Sequence, residues 1–195
     1  MKGRTKKYIM SFIVIEGDNG TGKDTLALKI QDKLGYRVIT NEPNIKEVNK
    51  KSKSYEGKER VKKFLEYGKF CSDKVRNVNE NVILVRYWLS TLAAAYADNI
   101  YTYEQTRELE NNICSKLYKP DIIICLWCDF ETRVKRIETR KTLDFDDVTK
   151  ERNEKYKWFL KQYEEKTDIK CINIDTTDKS RDEVFENFLK HINMR

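Results

Sequence analysis

The residues best able to do chemistry sit in one run, Glu16-Gly17-Asp18-Asn19-Gly20-Thr21-Gly22-Lys23-Asp24-Thr25. Gly17, Gly22 and Lys23 fit the spacing of a phosphate-binding loop, G-x-x-x-x-G-K-[ST]. Glycines let successive backbone N–H groups turn inward around a phosphate, and a helix N-terminus behind the loop adds partial positive charge. Lys23 brings a mobile cation to the β- and γ-phosphates of a nucleotide. One position departs from the pattern: Asp24 stands where a Ser or Thr hydroxyl would hold Mg²⁺. Two arrangements are open. Either the Asp24 carboxylate joins the metal site, or Asp24 turns away and Thr25 and Glu16 hold the metal through water.

Such a loop needs a buried strand before it and a helix after it. Phe12-Ile-Val-Ile15 is a continuous apolar run, as expected of a strand covered on both faces, and a helix is predicted from Lys23 to about Leu34. Further strands are predicted at Arg37–Thr40, Val82–Val85, Ile122–Leu126 and Cys171–Ile174. Helices are predicted over Lys46–Asn77 with a break near Ser52–Gly57, and over Trp88–Ala97, Glu104–Leu117, Glu131–Arg140, Thr149–Lys166 and Arg181–Ile192. Strand and helix alternate throughout. The expected fold class is therefore α/β, a five-stranded parallel sheet with helices on both faces, in a single domain over residues 1–195.

The 195 residues can bury a core without disulfides or a structural metal. Five cysteines, an odd number, fit reduced thiols, and Cys125-Leu-Trp-Cys128 reads as a buried structural pair within a strand. No run approaches the roughly 20 apolar residues of a membrane span. The basic start Met1–Lys7 leads straight into the first strand with no small-residue cleavage site, so a cytoplasmic protein without membrane partners is expected. The net charge of +7 comes from 39 Lys+Arg against 32 Asp+Glu. It suits a phosphate-bearing partner, but the basic residues form only small groups. A nucleic-acid groove is thus the weaker reading, and nucleotide substrates the stronger one. The sequence leaves a homodimer open.

Phe12 to Thr25 resembles the opening of the thymidylate kinases, which are P-loop nucleoside-monophosphate kinases. Thr40-Asn-Glu-Pro43 resembles that family's T-R-E-P segment, and Val82 to Thr91 its strand followed by D-R-Y-x-x-S-[TG]. Lys119-Pro-Asp-Ile-Ile122 resembles its P-D-L strand entry. Arg140-Lys-Thr-Leu-Asp144 with Asp147 resembles its lid, placed at about 140–147. The resemblance implies a P-loop kinase fold with a short lid, and transfer of the γ-phosphoryl of ATP, with Mg²⁺, to dTMP. It implies donor binding by Gly17, Asp18, Asn19, Gly20, Thr21, Gly22, Lys23, Asp24 and Thr25. It implies acceptor binding by Asn19, Glu42, Pro43, Arg86, Ser90 and Thr91. Phe64 and Tyr67 are candidates to stack on the base. Lys23, Arg86 and Arg140 would carry the catalysis. Since the loop has no arginine, the lid is expected to supply the cation over the transferring phosphoryl group, with Arg133, Arg136, Arg140 and Lys141 as its basic cluster.

The chain departs from the family pattern at several positions. Val85 replaces an aspartate, Asn41 an arginine (with Lys46 as a substitute phosphate contact) and Phe145 a second lid arginine. Ala94 falls where an aromatic residue usually guards the sugar's 2′ position, with Tyr96 two residues on. These departures keep two rivals open. One is a kinase of another deoxynucleotide or of a deoxynucleoside, and the other is an ATP-binding module with impaired catalysis.

Overall fold

A computed structural model describes residues 11–139 and 149–192, apart from the side chains of Asn41 and Cys114. Five strands, β1 (Phe12–Gly17), β2 (Arg37–Val38), β3 (Val82–Val85), β4 (Ile122–Trp127) and β5 (Lys170–Asp175), form one sheet. Their order is β2-β3-β1-β4-β5, and every pairing is parallel. The connecting helices are α1 (Lys23–Leu34), α2 (Pro43–Lys53), α3 (Gly57–Arg76), α4 (Trp88–Ala97) and α5 (Tyr103–Cys114). They continue with α6 (Phe130–Glu138), α7 (Lys150–Glu164) and α8 (Arg181–Ile192). This is the predicted α/β fold. The predicted lid, 140–147, lies outside the described residues.

Strand alternation divides the core into two layers. Phe12 and Val14 of β1 join Val82, Leu84, Ile123 and Cys125 on the face covered by α2, α3, α4 and α7. Ile13 and Ile15 join Ile83, Val85, Ile122, Ile124 and Leu126 on the other face, covered by α1 and α8. All six residues of β1 are buried, and each large aliphatic side chain there contributes about 1.5–3 kcal/mol. The central strand thus anchors the chain just before the loop that follows it.

Element ends differ from the predicted ones for local reasons. β2 is only Arg37–Val38, because an edge strand has a single partner and the chain turns at once into a 3₁₀ turn, Ile39–Asn41. The Glu42 N–H closes that turn on the Ile39 carbonyl at 3.1 Å, and Pro43 then opens α2. α5 starts one residue earlier than predicted. Thr102 and Gln105 form a capping box, a T-x-x-Q signature readable in the sequence. Cys128 lies just beyond the end of β4 rather than within a strand, though both Cys125 and Cys128 are buried. No helix among the described residues is long and apolar enough to cross a membrane.

Candidate active site

β1 delivers the loop at Gly17, whose φ is +150°. A Cβ there would lie 2.6 Å from the Leu126 carbonyl oxygen of β4 and 2.7 Å from Thr21 Oγ1. Only glycine lets the chain leave β1 so close to its neighbour. The loop closes on itself, the Thr21 hydroxyl donating to the Asp18 carbonyl at 2.8 Å. The Lys23 ammonium, almost fully buried, donates to the same carbonyl at 3.1 Å. Asp24 Oδ2 lies 3.8 Å from Lys23 Nζ although the Asp24 side chain is 67% exposed. The Asp24 carboxylate therefore sits toward the lysine.

Arg86 follows β3 with φ at +63°, left-handed backbone for a residue with a side chain. Such conformations cost on the order of 1–3 kcal/mol and cluster at functional sites. Arg86 donates from Nη2 to the Asn19 side-chain oxygen at 2.6 Å, bridging the loop and the start of α4. Beneath it lies Glu16, fully buried on the α4 side of β1. One Glu16 oxygen accepts the Tyr87 N–H at 3.1 Å; the other accepts the Ser90 N–H at 3.2 Å and the Ser90 hydroxyl. Burial pushes the Glu16 carboxyl up to about 7, although Ser90, Arg86 and Tyr87 pull it down.

A second charged group lies on the other side of the loop. Asp18 is buried and pairs with Arg133 of α6 at 2.7 Å and with Arg152 of α7. Burial would raise its carboxyl, but Arg152, Arg133 and Arg86 outweigh burial and hold it below the usual carboxylate range. Arg133 also donates to the Asn19 carbonyl at 2.9 Å and to the Asn153 side-chain oxygen at 3.0 Å. Arg152 pairs with Asp98 as well. Arg136, one turn after Arg133, donates to the Thr176 carbonyl at 2.6 Å and reaches the Gly20 carbonyl at 3.4 Å.

The structure brings Lys23, Asn19 and Arg86 together with the loop glycines, and it gives the other predicted residues surroundings of their own. Glu16, expected to reach a metal through water, spends both oxygens on the start of α4. Ser90, expected beside the acceptor, is buried against Glu16. Thr91 is half-buried, and its hydroxyl reaches the Tyr87 carbonyl at 3.4 Å. Glu42, expected on the acceptor side, pairs with Arg37 at 2.5 Å. Pro43 and Lys46 are exposed on α2. Tyr67 is buried in the core and Phe64 packs against that core. The Tyr96 ring packs edge-on against Tyr103 and tilted against Trp158 and Phe159. Asp18, expected to bind the donor, spends its carboxylate on Arg133, Arg152 and the Asn19 N–H instead. Arg133, expected in a phosphate-closing cluster, is 1% exposed and holds the loop at the Asn19 carbonyl. Arg140 and Lys141 lie outside the described residues.

Beside the loop opens a cavity of about 430 Å³, lined by Thr21, Gly22, Thr25, Arg136, Thr176 and Arg181 among others. The β5–α8 connection that forms its far wall was not singled out in the sequence, where no motif marks it. Arg152 and its partner Asp98 were also missed. A carboxylate at position 18 inside a phosphate loop was nonetheless a signal, because a buried charge needs a partner.

The family model described as thymidylate kinase matches residues 15–187. A protein of Methanocaldococcus jannaschii described as "Probable thymidylate kinase" is 27% identical over 194 residues, 93% of this chain and 95% of that protein. One of Sulfurisphaera tokodaii with the same description is 32% identical over 147 residues, 70% of this chain and 73% of that protein. Among solved structures, thymidylate kinase from Candida albicans aligns with a TM-score of 0.71 at 23% identity, over 94% of this chain and 91% of that one. Deoxyadenosine kinase from M. mycoides with bound dATP aligns with a TM-score of 0.68 at 22% identity, over 93% and 99%. These two likenesses speak to the fold alone. The family match runs from inside β1 into α8 and so spans the loop, the Arg86 segment and all five strands at least in part: the chain belongs to the thymidylate kinase family.

Proposed function

We propose that the protein transfers the γ-phosphoryl group of ATP to a nucleoside monophosphate, with dTMP as the first candidate. The observation that carries this reading is the 2.6 Å contact of Arg86 with Asn19. It sets a second cation directly against a loop with the spacing of a phosphate-binding loop, which supports giving Arg86 to the acceptor's phosphate. A donor lying along Gly17–Lys23 and an acceptor phosphate held by Arg86 would meet at Asn19. Phosphoryl transfer needs alignment and spread positive charge more than covalent help. Lys23 supplies charge on the donor side, Arg86 on the acceptor side. The cavity beside Thr25 and Arg136 is suited to the rest of the donor.

Mg²⁺ fits the residues present. It takes one or two carboxylates and fills its other positions with phosphate oxygens and water, and Asp24 with the Thr25 hydroxyl offers such a set. The ion would neutralise developing charge on the phosphates. Asp24 and Thr25 would orient it, replacing the usual hydroxyl at position 24.

A nucleoside acceptor would need a base for its sugar hydroxyl, and Glu16, the carboxylate beneath Arg86, is fully buried. Its oxygens already accept three hydrogen bonds from the start of α4, which supports the monophosphate. The test is ADP release from ATP with each deoxy- and ribonucleoside monophosphate and each nucleoside, alongside Lys23→Ala. Turnover that requires a monophosphate and vanishes in Lys23→Ala is expected. Equal ATP hydrolysis with and without acceptor would sink the reading.

A further inference from the structure

Three guanidinium groups converge on two adjacent loop residues, at the carboxylate of Asp18 and the amide and carbonyl oxygens of Asn19. Asp18 accepts Arg133 at 2.7 Å and Arg152 on Oδ2, and the Asn19 N–H at 2.8 Å on Oδ1. Asn19 in turn accepts Arg86 on its side chain and Arg133 on its carbonyl. The three arginines come from three elements: the end of β3, α6 and α7. Arg152 has a second acid, Asp98, whereas the other hydrogen-bond partners of Arg133 are the neutral oxygens of Asn19 and Asn153. Asp18 is 4% exposed and Arg133 1%, so water does little to screen these charges. Like charges so placed repel unless an anion lies among them.

We propose that Asp18 is a positioning residue for acceptor binding: its carboxylate is the internal counter-ion that lets Arg86, Arg133 and Arg152 converge on the loop, and so fixes where Arg86 reaches. The proposal rests on the reading that Arg86 holds the acceptor phosphate. Without the anion, Arg133 and Arg152 push Arg86 and its Asn19 anchor outward, while the loop gains net positive charge. Acceptor binding then weakens as donor binding holds or tightens. A purely structural role makes the opposite prediction, with both ligands losing affinity together.

The measurement is calorimetric binding of dTMP and of ATP to the full chain, in Asp18→Asn, Asp18→Asn with Arg133→Met, and Arg86→Ala. Asp18→Asn should weaken dTMP by about tenfold or more and leave ATP no weaker than about threefold. The double variant removes one cation with the anion and should bring dTMP back to within about threefold of wild type, a non-additivity that two packing defects would not show. Equal weakening of both ligands, unchanged dTMP binding, or a double variant no better than the single one overturns the proposal. Should Asp18→Asn not fold, the double variant decides alone: dTMP binding more than about threefold weaker than wild type overturns it. If Arg86→Ala binds dTMP like wild type, the acceptor reading itself fails. If Arg86→Ala weakens dTMP and Asp18→Asn does not, only the role of Asp18 fails.

Discussion

Arg86 and Asn19 lie 67 positions apart in sequence and 2.6 Å apart in space, joined by a hydrogen bond from the guanidinium to the amide oxygen. The contact ties the segment after β3 to the middle of the phosphate loop. Whatever moves one moves the other.

Arg86→Ala should therefore act on one substrate. A charge-assisted hydrogen bond to phosphate is worth about 1.5–3 kcal/mol, or roughly 10- to 150-fold in affinity. The acceptor dissociation constant should rise by that factor and the ATP constant by much less. Arg86 also occupies left-handed backbone, where glycine carries no steric penalty. Arg86→Gly should be more stable than Arg86→Ala by about 1 kcal/mol in urea unfolding while binding the acceptor just as poorly. Equal loss of both ligands would mark Arg86 as structural.

Asp24 should make ATP binding depend on metal. Its carboxylate lies 3.8 Å from Lys23 Nζ, where it competes with phosphate for the same ammonium. Two unit charges about 4 Å apart interact by roughly 4 kcal/mol at an effective dielectric of 20, so without Mg²⁺ the carboxylate opposes a bound phosphate. Asp24→Asn should bind metal-free ATP more tightly and lose part of the gain that Mg²⁺ gives. Titrations in chelator and in excess Mg²⁺ check this, and two unchanged affinities would make Asp24 a bystander.

Glu16 should leave a mark on stability against pH. The folded chain keeps its proton up to about pH 7, while an unburied carboxyl releases it near 4.5. Between those values the folded state binds more protons, so stability falls as pH rises through the window and levels off above about 7. At about 1.4 kcal/mol per pKa unit the fall is on the order of 3 kcal/mol. The Ser90 hydroxyl lowers this pKa, so Ser90→Ala should carry the fall to higher pH. Urea midpoints from about pH 5 to 8.5 measure both. A flat wild-type profile would show that Glu16 stays ionised.

Gly17→Ala should damage loop and fold together. Its Cβ would stand 2.6 Å from a backbone carbonyl that cannot swing aside. Overpacking of this kind costs about 1–3 kcal/mol, and the displaced loop should lose ATP affinity. Wild-type ATP binding by Gly17→Ala would show that the loop adapts.

The phosphate loop was legible because its signal is local: glycines and a lysine at fixed spacing between a strand and a helix. The sheet was legible because its central strands are unbroken apolar runs. The arginine cluster was not, because Asp18 and Arg152 are 134 positions apart and meet only once α6 and α7 have packed. Arg133 read as part of the lid's basic cluster because composition does not say which face of α6 turns inward. Its spacing from Arg136, three residues on the same helical face, was the available clue. Ser90 was assigned to the acceptor by resemblance. The structure turns it inward because Glu16, on the α4 side of the sheet, needs a donor there.

That side is set by counting. Phe12, Val14 and Glu16 point one way and Ile13 and Ile15 the other, with the count starting where the Phe12 N–H meets the Asp121 side chain at 2.7 Å. Losing or gaining one residue inside β1 would turn Glu16 toward α1 and bring a hydrophobic neighbour under α4. It would also carry Gly17 out of register with Leu126. The length of β1 is therefore closed to insertion and deletion, and change can enter this strand only by substitution.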